Sequence, residues 1–163
     1  MAPLTPRDPA PRDPAPRDPD FAARVRDSFA RQPAMAHIGA RLLTVAPGRV
    51  EIEIAHDPRI TQQHGFIHGG IVGMLIDNAC GYAAFSLFPA DASPLSVEYK
   101  VNLLAPADGE RLVARASVVR SGRTLTVCTC EVTAHKGDSA TVCAIGTATI
   151  MALAGRPDTK RAT

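Results

Sequence analysis

One segment of the chain concentrates the residues that can do chemistry. It reads Thr61-Gln-Gln-His-Gly-Phe-Ile-His-Gly-Gly-Ile-Val-Gly-Met-Leu-Ile-Asp-Asn-Ala-Cys-Gly-Tyr82. Gly69 and Gly70 follow His68 where a helix is expected to begin. The first N–H groups of a helix have no internal acceptor, and glycine lets a ligand come close, so such a start suits an anion or a developing oxyanion. The plainer alternative is a glycine-rich turn demanded only by backbone geometry. Asp77 lies further along the same apolar run. A carboxylate there gives up hydration, which suits general-base or nucleophilic work; the competing role is a structural ion pair. Gly73 and Gly81 stand four residues before and after Asp77, so a stripe without side chains runs along its face. That stripe admits either a substrate or a second backbone.

Spacing then imposes a condition. Gly69 and Asp77 are eight residues apart, or about 12 Å along a helix. A single reacting carbonyl needs both groups within about 3 Å of its atoms. If both act, Gly69 of one copy must meet Asp77 of another, with the two helices antiparallel across a two-fold axis. The expectation is an obligate homodimer with composite sites.

Other residues offer less. His64 and His68 have an i, i+4 spacing, but Gly65 and Gly69 place His64 outside the helix, and no further ligand arrives at metal-site spacing. No metal is expected. Cys80, three residues after Asp77, is either a nucleophile or a small buried thiol, and packing is the better account. Cys128 and Cys130 share one face of an expected strand, where packing again suffices. Arg120 and Arg123 flank Ser121-Gly122, as a phosphate grip or as solvated turn residues.

The elements that must position these groups follow from periodicity. Phe21, Val25 and Phe29 mark a short amphipathic helix over Phe21–Gln32, with Asp20 as N-cap and Pro33 beyond its end. Strands are expected at Ala40–Val45 and Arg49–Ala55, joined by Pro47-Gly48; Val50, Ile52 and Ile54 face inward, and Arg49, Glu51 and Glu53 face water. A long helix, enclosed on most sides, is expected over His68–Leu87, ended by Pro89. Four strands follow at Leu95–Ala105, Arg111–Arg120, Thr124–His135 and Ala140–Ala152, separated by Gly-containing turns. Alternation sets Val97, Tyr99, Val101 and Leu103 against Ser96, Glu98, Lys100 and Asn102. Six strands and one long buried helix make an α+β fold, with an antiparallel sheet wrapped around a central helix.

Composition bounds the rest. The 163 residues carry 18 Lys plus Arg against 16 Asp plus Glu, a net charge of +2, with no Trp. No basic cluster points to nucleic acid. The apolar run Gly65–Phe88 holds Asp77 and Asn78 near its centre, so a membrane span is not expected. Four cysteines without a C-x-x-C pair and no secretory signal fit a reducing, cytoplasmic setting. Seven prolines fall in the first 20 residues, within an Arg-Asp-Pro-Ala-Pro repeat. The expected organisation is a solvated tail over 1–20, a domain over 21–156 and an unstructured end over 157–163.

His68-Gly-Gly followed by Asp77, then Asn78-Ala79 and Tyr82-Ala83, resembles the hotdog-fold acyl-CoA thioesterases of the PaaI-like type. The resemblance spans about Gly39–Leu153 and takes in Ser96-Val97-Glu98, Asn102-Leu-Leu-Ala-Pro106 and the Arg120–Thr124 turn. It implies hydrolysis of a coenzyme A thioester. The N–H at Gly69 polarises the carbonyl, and Asp77 of the opposite subunit activates water or attacks directly. Ser96 holds that water or the carboxylate. Gln62, where many members have Asn, together with His68 and Gly70, falls on the substrate side, and Arg120 and Arg123 fall where members often meet the phosphates of coenzyme A. No cofactor is implied beyond the substrate's own coenzyme A, and the expected assembly is a homodimer or a dimer of dimers. The alternative is a non-catalytic module binding acyl ligands, which has no reason to place a carboxylate on that helix. Deleting the Pro-rich tail is expected to leave thioester hydrolysis intact, as read by release of free thiol.

Overall fold

A computed structural model describes residues 15–159. Its elements are α1 (Phe21–Ala30), α2 (Pro33–His37), β1 (Arg41–Ala46), β2 (Arg49–Ala55), α3 (Gly69–Phe85), β3 (Ser93–Leu103), β4 (Arg111–Ser121), β5 (Leu125–Lys136) and β6 (Ser139–Leu153), with a 3-10 turn at Pro58–Ile60. The six strands form one antiparallel sheet in the order β1-β2-β4-β5-β6-β3. Because α3 separates β2 from β3 in the chain, β3 is carried to the far edge of the sheet. The helix packs against β2, β3, β4, β5 and β6. This is the hotdog architecture expected from the sequence.

The core is the interface between α3 and the sheet. Leu75, Ile76, Ala79, Cys80 and Ala83 have no exposed surface, and neither do Val50, Ile52, Ile54, Leu112 and Val132 on the strands. Each fully buried Leu or Ile stabilises the fold by about 1.5–3 kcal/mol relative to exposure. The approach is close on β6. A Cβ at Gly146 would stand 2.6 Å from Ile76 Cγ2 and 3.0 Å from the Lys100 carbonyl oxygen, so only glycine lets the helix seat there.

Several expectations need correction. Pro33 does not simply terminate the first helix. It is the first residue of α2, with Gln32 as N-cap, a position where proline's missing N–H costs nothing. Asp20 makes no side-chain cap; its N–H donates instead to Asp18 Oδ1 at 2.9 Å. His68 is the N-cap of α3 rather than its first residue, and the helix stops at Phe85. Glu53, expected on the wet face, is buried. Arg41 and Arg111, on the strands either side, both pair with it, which offsets the loss of water around a carboxylate.

Two residues assigned to the tails are packed. Asp18 is only 6 % exposed and pairs with Arg24 at 2.9 Å. Asp158 accepts from Arg31 at 2.8 Å. Residues 1–14 and 160–163 of the expected tails lie outside the described residues. Among the described residues, no helix is long and apolar enough to cross a membrane.

Arg24 ties α1 to the end of α3. It donates to the carbonyls of Pro89 and Phe88, each at 2.7 Å, and its guanidinium stacks 4.3 Å from the Phe85 ring centroid. Those carbonyls follow a helix end and have no helical donor of their own. Replacing the arginine therefore strands the buried Phe88 carbonyl and takes the cation away from Asp18, while the Pro89 carbonyl still accepts from the Ala92 N–H at 3.1 Å. Arg24→Met is expected to cost about 2–3 kcal/mol, seen as a lower urea midpoint at unchanged slope.

Candidate active site

Asp77 lies at the middle of α3, half-buried. Ser96 Oγ donates to its Oδ1 at 2.5 Å. Strict alternation along β3 points Ser96 away from the helix, and the structure corrects this. The pairing of β3 with β6 slips between Ser96 and Glu98, where Ser96 faces Ile150 and Glu98 faces the next residue back, Thr149. A bulge at Val97 absorbs one residue and re-phases the side chains. Tyr99 and Val101 consequently face α3, 3.7 Å and 3.9 Å from where a Gly73 side chain would begin, and Ser96 joins them on the same side.

The helix start is built differently. His68 Nδ1 accepts from the Gly70 N–H at 2.9 Å. The His68 carbonyl accepts from Ile71 at 2.9 Å and Val72 at 3.2 Å. Among the described residues none accepts from Gly69 N–H. Of the two glycines, Gly69 keeps its donor, whereas Gly70 has spent its own on His68. Gln62 folds the preceding loop: its N–H donates to the Phe66 carbonyl at 2.9 Å, and its side-chain oxygen accepts from the His64 N–H.

These groups line two separate cavities. Gln62 and Gly69 line one of about 320 Å³, walled by Phe66, Ile67 and Leu103. Asp77 and Ser96 line another of about 280 Å³ with Ser28, Gln32, Asn78, Gly81, Tyr82 and Asp158. The first is largely apolar and the second largely polar. One chain does not bring Gly69 and Asp77 together, since eight residues of regular helix hold them about 12 Å apart.

Arg120 and Arg123 line neither cavity. They are exposed, beside the turn between β4 and β5. Pairing places that turn level with the site, because Ser121 faces Thr126, Thr126 faces Ile150 and Ile150 faces Ser96. Three strand spacings, about 14 Å, separate the turn from Ser96.

Sequence reasoning missed the wall that α1 and its link to α2 add to the Asp77 cavity. Gln32 Nε2 donates to Tyr82 Oη at 2.7 Å, and Ser28 Oγ lies 3.1 Å from the same oxygen. Burial pushes the Tyr82 phenol up, so it stays neutral and able to donate. Tyr82 stood in the recognised segment, but nothing in its type or spacing shows which distant element covers it.

The four cysteines are buried and free. Hydrogen bonding to Cys80 and burial both push Cys128 and Cys130 up, which keeps them as thiols. The same two thiols hold Cys80 well below the usual thiol range, to about 5, but its side chain is sealed in the core with no exposed surface. Among the described residues no cluster of three His, Cys, Asp or Glu side chains could hold a metal.

The sequence profile of the Thioesterase superfamily matches residues 64–141, which hold the helix start, Asp77 and Ser96. A thioesterase family protein from Silicibacter pomeroyi, of known crystal structure, is 56 % identical. It has a TM-score of 0.82, with 83 % of this chain and 99 % of that one aligned. The chain belongs to the thioesterase superfamily. That membership makes it a thioester hydrolase in general class. Acyl-coenzyme A thioesterase 13 from Homo sapiens is 31 % identical over 93 residues, 56 % of this chain and 66 % of that one. The E. coli PaaI protein of the phenylacetic acid degradation operon shares the fold at a TM-score of 0.76, with 16 % identity over 86 % of this chain and 98 % of that one.

The thiols of this thioesterase give a direct check on burial. In the native protein all four are expected to react with an aromatic disulfide reagent only slowly, and to titrate at once in denaturant.

Proposed function

We propose that this thioesterase hydrolyses acyl-CoA thioesters at a site shared between two copies of the chain. The observation that carries the proposal is the 2.5 Å bond from Ser96 to Asp77 in an open cavity, while the Gly69 N–H lies about 12 Å away on the same helix. Asp77 takes a proton from water as the oxygen attacks the thioester carbon. The oxyanion that forms accepts from Gly69 N–H of the second copy. The tetrahedral intermediate then expels the thiolate, which recovers the proton from Asp77, leaving a free acid and coenzyme A. Direct attack by Asp77, through a mixed anhydride, has the same requirements for position. Ser96 orients the carboxylate by occupying one of its oxygens.

The surface favours such pairing. β3 is the sheet edge beside α3, and its Leu95, Val97 and Tyr99 are 50 %, 52 % and 50 % exposed. An edge this apolar calls for a partner strand, and a second copy supplies one. Coenzyme A as the carrier group rests on the relationship to the human acyl-coenzyme A thioesterase, and the exposed Arg120 and Arg123 are the cations we assign to its phosphates. Gln62 and His68 shape the cavity and helix start on the Gly69 side. The chemistry asks for no metal or redox cofactor.

Asp77→Asn is expected to lower kcat by about 10³-fold with an unchanged circular dichroism spectrum. A panel of acyl-CoAs with thiol detection measures the loss, and unchanged turnover would sink the assignment. Gly69→Pro removes the N–H at a helix position that tolerates proline, and is expected to be similarly inactive. Mixing the two inactive proteins under conditions of subunit exchange should restore about a quarter of the wild-type sites, because half the dimers are mixed and each holds one intact pairing. No recovery in verified mixed dimers would place both groups' work within one chain.

A further inference from the structure

The cavity beside Asp77 does not end at the carboxylate. It continues past Gly81 to Tyr82, Ser28 and Gln32. Tyr82 is 3 % exposed and Ser28 7 %, so their hydroxyls sit where the surrounding sequence otherwise packs apolar groups. The hydrogen count leaves a surplus. The Gln32 amide brings two hydrogens and each hydroxyl one, and the three groups make two bonds among themselves. Two hydrogens and the Gln32 Oε1 acceptor remain to meet whatever fills the open cavity, water or a ligand group.

Gly81 is an independent sign. Glycine inside a helix is unfavourable relative to alanine, so its presence needs a cause. Gly81 is not among the positive-φ glycines, and a Cβ there would meet nothing within 4 Å. Neither backbone geometry nor packing within the chain requires it. What it provides is open space, between the reacting carboxylate and the polar wall. Charge narrows the occupant. Asp77 borders the cavity, and Asp158 beside it already holds the charge of Arg31, so no cation is left there for an anionic end group. Asp77 and Tyr82 are five residues apart, about 7.5 Å along the helix, which suits a compact acyl group.

We propose that Gly81 and Gln32 set the acyl specificity: Gly81 opens the channel from Asp77, and Gln32, braced by Tyr82 and Ser28, receives a neutral hydrogen-bonding substituent, a hydroxyl or carbonyl, at the far end of the acyl group. This rests on the assignment of Asp77 to thioester hydrolysis. An alkyl end of equal length leaves the Gln32 amide unpaired and is the poorer substrate.

The test compares kcat/KM for 6-hydroxyhexanoyl-CoA and heptanoyl-CoA, esters of equal length ending in a hydroxyl and a methyl. The full chain is expected to favour the hydroxyl ester about tenfold. Gln32→Leu should bring the ratio near one, and Gln32→Glu, which keeps the shape and loses the amide donor, should also lower it. Gly81→Leu should lower kcat/KM for 6-hydroxyhexanoyl-CoA at least tenfold relative to acetyl-CoA, and Gly81→Ala should raise Tm by about 3 °C. Equal rates for the two esters in the wild type, or a ratio that survives both Gln32 substitutions, overturns this proposal alone. Gly81→Leu appearing as monomers in size-exclusion chromatography assigns the open space to subunit packing and also overturns it. A wild type that cleaves none of the three esters removes the underlying hydrolytic assignment as well.

Discussion

Everything in this structure depends on how one apolar helix is covered. α3 carries too much hydrophobic surface to be left against water, and a single six-stranded sheet curls over most of it. Ile76, Leu75 and Cys80 are sealed completely. A sheet that wraps a helix leaves one strip uncovered, beside the strand at its edge. Asp77, Asn78 and Gly81 lie along that strip, only partly buried. The carboxylate is therefore held rigidly by a packed core while its head reaches a cavity, which is what a base needs: fixed geometry without full desolvation.

The edge strand completes the arrangement through an irregularity. Among the described residues β3 pairs on one side only, with β6, and it slips register at Val97. Without that slip, Ser96 would share a face with Glu98 and Lys100, and Asp77 would lose its donor. Bulges are favoured at sheet edges because there only one ladder is disturbed. The feature that leaves β3 free to meet a second chain thus also makes room for the turn of Ser96 toward the helix.

A second layer comes from outside the sheet. α1 lies near the C-terminal half of α3, held by Arg24 on the carbonyls of Phe88 and Pro89 and by Arg31 on Asp158. Its far end delivers Ser28, and the link to α2 delivers Gln32, to the cavity that Asp77 lines. Segments that composition assigns to tails, at Asp18 and Asp158, take part in that clamp. The N-terminal helix in this way walls the cavity beside Asp77 as well as covering the core.

The sequence by itself determined the helix, the alternating strands and the pairing of a glycine-rich start with a buried-side carboxylate, because these are local properties of periodicity and residue type. The eight-residue interval between Gly69 and Asp77 was enough to show that one chain could not place both at one carbonyl. Tertiary structure alone decided which face Ser96 takes, since a bulge at an ordinary valine has no local signal. It decided that Glu53 is buried, because one of its two arginine partners, Arg111, comes from a strand 58 residues further along the chain. It also decided that Gln32, Ser28 and Tyr82 meet: hydrogen bonds between residues about 50 positions apart depend on how whole elements pack, which no spacing in the sequence encodes.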